Sequence, residues 1–134
     1  MREELARILK EFSADSGTIH LMGGDGLLHL KASIGIPDQV LTFINAIPVG
    51  KGMAGLAAER REPVTICNLQ SDTSGDARPG AKATGLEGSI ALPIFDGDRV
   101  AGVLGVANLA PRTFTPAEID RLLEEGRRLA AHSA

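Results

Sequence analysis

The run Val100-Ala101-Gly102-Val103-Leu104-Gly105-Val106-Ala107 is apolar at every position. A strand with one wet face alternates polar and apolar residues, whereas a strand that does not alternate is covered on both faces. This segment therefore belongs in the middle of a sheet with a layer on each side. The rest of the 134-residue chain must supply both layers, and that length suits one domain, 1–134, whose core needs no disulfide or metal staple.

The layers are legible. Residues 2–13 carry Leu5, Ile8, Leu9 and Phe12 at helical spacing, with charged residues between them, so the spacing predicts an amphipathic N-terminal helix. Near the other end, Thr115, Pro116 and Glu118 form a capping box, and Phe114 with Ile119 a hydrophobic staple. The helix they open, over 115–132, has its apolar stripe at Ile119, Leu122, Leu123 and Leu129. Thr18–Met22 and Leu28–Ile34 read as two strands joined by Gly23-Gly24-Asp25-Gly26, the second with Leu28, Leu30, Ala32 and Ile34 on a packed face. Gly88–Phe95 and Arg99–Asn108 form a hairpin around Asp96-Gly97-Asp98, and Pro63–Cys67 is a brief strand. Short helices are expected at Pro37–Ile44, with Val40, Leu41 and Ile44 inward, and within Val49–Arg61. From Asn68 to Leu86 no periodicity survives, and irregular stretches of that length commonly cover sites. The fold class is thus α+β: a central antiparallel sheet of five to six strands, terminal helices on one face, and short helices plus a long loop on the other.

Composition excludes several functions. Fourteen basic against 17 acidic residues give a net charge of −3, which lacks the cationic face that nucleic acid requires. Four Phe and no Tyr or Trp leave few stacking platforms. No apolar run reaches a membrane span, and the charged Met1-Arg2-Glu3-Glu4 does not open a signal core. One cysteine, Cys67, forbids an intrachain disulfide and suits a reducing compartment. These features lead to the expectation of a soluble, cytoplasmic chain with neither nucleic acid nor membrane as partner.

Chemistry is sparse as well. His20, His29 and His132 are scattered, no Gly-x-Ser-x-Gly elbow is present, and surface positions are the expectation for all three histidines. Cys67 ends an apolar strand and reads as a buried small hydrophobe. Asp72, Ser74 and Asp76 begin like a calcium loop, but Ala83 stands where its bidentate Glu belongs, so no metal site is expected. In Val49-Gly50-Lys51-Gly52-Met53-Ala54-Gly55 the lysine precedes the helix, unlike a P-loop; the glycines suit close packing, and the Gly50–Gly52 amides face any anion at a helix start. The expectation is a protein that is not an enzyme.

Taken in order, Gly17-Thr18-Ile19-His20-Leu21-Met22, Ala32-Ser33-Ile34-Gly35-Ile36-Pro37 and Ile47-Pro48-Val49-Gly50-Lys51-Gly52-Met53-Ala54-Gly55 resemble a GAF domain, a small sensory module of signalling proteins. Glu62-Pro63-Val64, Asn68-Leu69-Gln70-Ser71-Asp72, Ser89-Ile90-Ala91-Leu92-Pro93-Ile94 and Phe114-Thr115-Pro116-Ala117-Glu118 continue the resemblance over nearly the whole chain. It implies a pocket enclosed by the short helices and the long loop, a small-molecule ligand, and relay of occupancy through the terminal helices, as a homodimer or within a larger protein that carries an output domain. Asn68, Asp72, Arg78, Lys82, Thr84 and Ser89 are the candidate ligand contacts. Arg78 and Lys82 suit an acidic group and Asp72 a base or amine. The competing reading is a ligand-free domain serving as a dimerisation or relay scaffold.

The ligand and any cofactor stay unidentified at this level. Cyclic-nucleotide-binding members have Lys after Asn and Glu after Asp near the last helix, whereas here Leu109 follows Asn108 and Ile119 follows Glu118. Members that reduce free methionine sulfoxide use several cysteines, bilin-binding members attach chromophore through a cysteine in another context, and haem-binding members need an axial histidine, for which His20 is the candidate.

Overall fold

The computed structural model of the chain describes residues 1–74, 76 and 84–133. Along them run α1 (Arg2–Glu11), β1 (Ser16–Met22), β2 (Leu27–Ile34), α2 (Asp38–Ile44), β3 (Ala46–Pro48), α3 (Gly52–Arg60), β4 (Val64–Ile66), β5 (Ser89–Asp96), β6 (Arg99–Ala107) and α4 (Pro116–Ser133). The strands make one antiparallel sheet in the order β3-β2-β1-β6-β5-β4. The unalternating β6 lies inside it, between β1 and β5, and the β1–β6 pairing, Ile19 opposite Leu104, joins the two halves of the chain.

β6 divides its side chains chiefly between two cores, with Ala107 in a third, small cluster beside Ile66, Leu69 and Leu86. Leu104 and Val106 enter the larger one with Ile19 of β1 and with Ile90, Leu92 and Ile94 of β5. α1 closes this core with Leu5, Ile8, Leu9 and Phe12, each at most 5% exposed, and α4 does so with Leu122 and Leu129. Side chains buried this fully stabilise by about 1.5–3 kcal/mol apiece, so the terminal helices are part of the sheet's own core. Val103 points the other way, into a smaller core with Ala57 and Ala58 of α3. The close β1–β6 approach depends on Gly102, where an added Cβ would collide with the His20 carbonyl oxygen.

The helix starts follow local chemistry. The Glu118 N–H donates to Thr115 Oγ1 at 3.1 Å while the Thr115 N–H donates to Glu118 Oε1 at 2.9 Å, which closes the capping box. Phe114 and Ile119 meet in the same core. α3 stops at Arg61, a non-glycine residue in left-handed backbone (φ 58°), held by its guanidinium over the Phe95 ring and its hydrogen bond to the Asp98 carbonyl.

Two expectations change, and one strand is added. The even residues of β2 do not share a face: Ile19 pairs with Ala32 but His20 with Leu30, so Lys31 is an extra residue, a β-bulge. Leu28 consequently joins the α3-side core while Ala32 and Ile34 join the terminal-helix side. An edge strand at Ala46–Pro48 pairs with β2, in place of a plain connection. Leu41, expected inward, is only half-buried and joins neither core; Val40, buried, and Ile44, packed against the α3-side core, anchor α2.

Candidate functional site

On the sheet face opposite α1 and α4 lies a cavity of about 640 Å³. Its floor is the sheet itself. Ser16, Thr18 and His20 line it from β1 because Gly17 and Ile19 turn toward α1. Gly105 and Ala107 line it from β6 and Ser89 and Ala91 from β5. Most of these residues are small, which is why the hollow is open. At Gly105 an added Cβ would meet Thr18 Oγ1 at 2.6 Å.

The walls come from the crossover helices. α2 contributes Gln39, Val40, Phe43 and Ile44, and α3 contributes Gly52, Met53 and Ala54 with Lys51 just before it. The segment between β4 and β5 adds Leu69, Thr84 and Leu86. Phe43 is 72% exposed although it lines the cavity, which places it at the rim.

Two polar groups in the floor are unusual. His20 is 1% exposed, and its Nε2 lies 2.7 Å from the Ile44 carbonyl oxygen. A carbonyl only accepts, so Nε2 carries the proton and Nδ1 of the neutral ring is a bare acceptor. Burial holds the His20 pKa below the ordinary value; the Ile44 bond pulls it up, and nearby His29 pushes it further down. Nδ1 and the hydroxyl of Ser16, also 1% exposed, are buried with no hydrogen-bond partner among the described residues. Polar atoms left so cost roughly 1–3 kcal/mol each. His20 is therefore not the surface histidine expected, whereas His29 sits at the surface with Asp25, 2.9 Å away, and His132 is exposed near the end of α4.

The six candidate contacts divide. Thr84 and Ser89 stand in the cavity wall. Asn68 and Asp72 do not line it; Asn68 Oδ1 accepts the Gln70 N–H at 3.0 Å and Asp72 Oδ2 accepts from Ser74, turn-forming contacts. Arg78 and Lys82 lie outside the described residues. The cavity also takes Ser16, Thr18, His20, Lys51 and Gln39, none of them among the six. The signal for the first three is the alternation of Ser16, Thr18 and His20 with Gly17, Ile19 and Leu21, a pattern that a strand facing solvent shares.

Cys67 is exposed, not packed as expected, with Sγ 3.7 Å from Thr113 Oγ1. No group of three or more potential metal ligands occurs among the described residues, nor does any described helix have the length and hydropathy to cross a membrane.

A search of curated protein sequences finds no match. Among solved structures, the GAF domain of a phosphoenolpyruvate-protein phosphotransferase from Coxiella burnetii superposes with a TM-score of 0.79 at 22% identity, covering 97% of this chain and 77% of that one. The corresponding Acinetobacter domain gives 0.78 at 22%, covering 95% and 75%. Free methionine-R-sulfoxide reductase from Neisseria meningitidis, solved in complex with its substrate, gives 0.77 at 20%, covering 97% and 73%. That last similarity corrects the expectation that the chain is not an enzyme: the same fold houses enzymes, so scattered histidines and a single cysteine do not exclude catalysis. The model of the GAF domain family matches residues 1–130, and the chain belongs to that family of signalling and sensory domains.

Proposed function

We propose that this domain binds a small molecule in the 640 Å³ cavity and passes its occupancy to α1 and α4. The observation that carries this reading is the coexistence of that volume, within the range of small-molecule sites, with partnerless buried polar atoms in its floor. A scaffold without a ligand has no use for either, since a plugged hollow and an apolar floor are both more stable. Thr84 and Ser89 are ligand contacts in this reading, joined by Ser16, Thr18 and His20.

Relay has a short path. β1 and β6 are a single layer with the cavity on one side and α1 and α4 on the other, so a shift of either strand is felt by Leu5, Leu9 and Leu122. The test is native mass spectrometry of the domain purified from cells, followed by thermal shift with whatever molecule is found. A guest at a hundred times its Kd raises stability by about 2.7 kcal/mol. Ala54→Phe, which places a ring in the hollow, removes that increment while leaving the domain folded. Persistence of the increment in Ala54→Phe would refute the assignment of the cavity.

A further inference from the structure

The cavity is lined by two unlike sets of polar groups. Resting on its reading as a ligand site, we propose that its guest is an amphipathic carboxylic acid that also bears a hydroxyl or N–H donor. The acid is met at the start of α3. Gly52, Met53 and Ala54 open this nine-residue helix, and all three line the cavity. Lys51, the N-cap, gives their amides no side-chain hydrogen bond. First-turn amides have no intrahelical acceptor and sit at the positive end of the helix, so they face the cavity ready for an anion. Lys51 adds a full positive charge there, and its exposed side chain makes no ion pair among the described residues. One lysine and one helix end suit the charge of a carboxylate.

The donor is met on β1. Ser16 and His20 stand on its cavity side, each 1% exposed and each with a polar atom lacking a partner among the described residues. With Nε2–H committed to Ile44, the neutral His20 ring offers only an acceptor. The Ser16 hydroxyl reaches other staggered positions by rotation about χ1. A guest that brings a donor therefore finds a bare acceptor at His20, while the Ser16 hydroxyl can accept or donate. Ile36, Val40, Leu69 and Leu86 add apolar wall, which suits an apolar body.

The experiment is calorimetric titration of the full chain at neutral pH with para-hydroxyphenylacetate, its primary amide, phenylacetate and the neutral para-cresol. The acid is expected to bind about tenfold more tightly than the amide, which lacks the charge, and about tenfold more tightly than phenylacetate, which lacks the donor; each step is one well-made polar contact. In Lys51→Met the preference over the amide disappears while the preference over phenylacetate stays, and in Ser16→Ala the second preference weakens while the first stays. Lys51 is exposed, so its substitution does not disturb folding. Equal binding of acid and amide, or an acid preference that survives Lys51→Met, overturns the proposal. Binding of para-cresol without binding of either acid overturns it while leaving the cavity a ligand site. Failure of all four probes, para-cresol included, counts against the cavity as a ligand site as well as against the acid.

Discussion

His20 couples stability to pH in a window of its own. Burial depresses its folded-state pKa, so the native state takes up the proton less readily than the unfolded chain. Above about pH 6.5 both states are neutral at this residue and the contribution is flat. As pH falls through that value the unfolded state gains protons first, and stability declines by at most about 1.4 kcal/mol per pH unit until the folded-state pKa is reached. Glu118 has the opposite chemistry. Its hydrogen bond from the Thr115 amide, then Arg112 at 2.6 Å, lower its pKa, so its contribution is present at neutral pH and is lost only below the ordinary glutamate range. Urea denaturation between pH 7 and pH 5 thus separates His20 from Glu118. His20→Leu is expected to flatten the decline in that interval, and an unchanged slope would mean that His20 is not the group responsible. Thr115→Ala tests the cap separately and should lower stability by about 1 kcal/mol at pH 7.

At the scale of elements, α1 and α4 are tied by charge as well as by the core. Glu125, 6% exposed on α4, accepts from Arg7 of α1 at 2.5 Å and from Arg128 at 3.1 Å, while Arg121 reaches back to Glu11 at 3.1 Å. Arg7 is half-exposed, which moderates the pair, but the buried carboxylate loses half its compensation without it. A double-mutant cycle over Arg7→Ala and Glu125→Ala should return a coupling of about 1 kcal/mol, and a value near zero would show that core contacts alone hold the two helices. Elements whose signals are local are legible in the residues themselves. The capping box of α4 involves four consecutive residues, and the α1 stripe repeats within one helix. What escapes the sequence is nonlocal. Nothing in Leu28–Ile34 marks Lys31 as a bulge, because the extra residue is defined only against β1. Ala46–Pro48 is three residues long and becomes a strand only through β2. The polar side of β1 is ambiguous for a related reason: a floor beneath a cavity and a face toward solvent use the same residue types, and α2 and α3 decide between them. Cys67 lies at the surface because it shares the exposed side of β4 with Thr65, while Val64 and Ile66 are the buried residues.

For the whole molecule, the sheet separates the cavity from the terminal helices, and this floor is thin where it matters. Gly17 lines the cavity, and a Cβ added there would lie 2.8 Å from Leu9 of α1 and 2.9 Å from the Gly105 carbonyl oxygen. A guest that moves β1 or β6 by a few tenths of an ångström has no compressible layer in which to lose the displacement, since packed interiors transmit strain. Such coupling requires that the guest bind differently to two arrangements of α1 and α4. Hydrogen–deuterium exchange gives the measure. With a bound guest, amides of α2 and α3 slow because these helices wall the cavity; relay predicts that amides of α1 and α4, which the guest never touches, slow or quicken as well. The Arg7–Glu125 pair sharpens the experiment, because Arg7→Ala loosens the helix pair without altering the cavity, and should enlarge the remote change while leaving affinity within about twofold, a shift of roughly 0.4 kcal/mol. Protection confined to α2, α3 and the strands beneath the guest, in both the parent chain and Arg7→Ala, would make the domain a binder whose terminal helices carry no message.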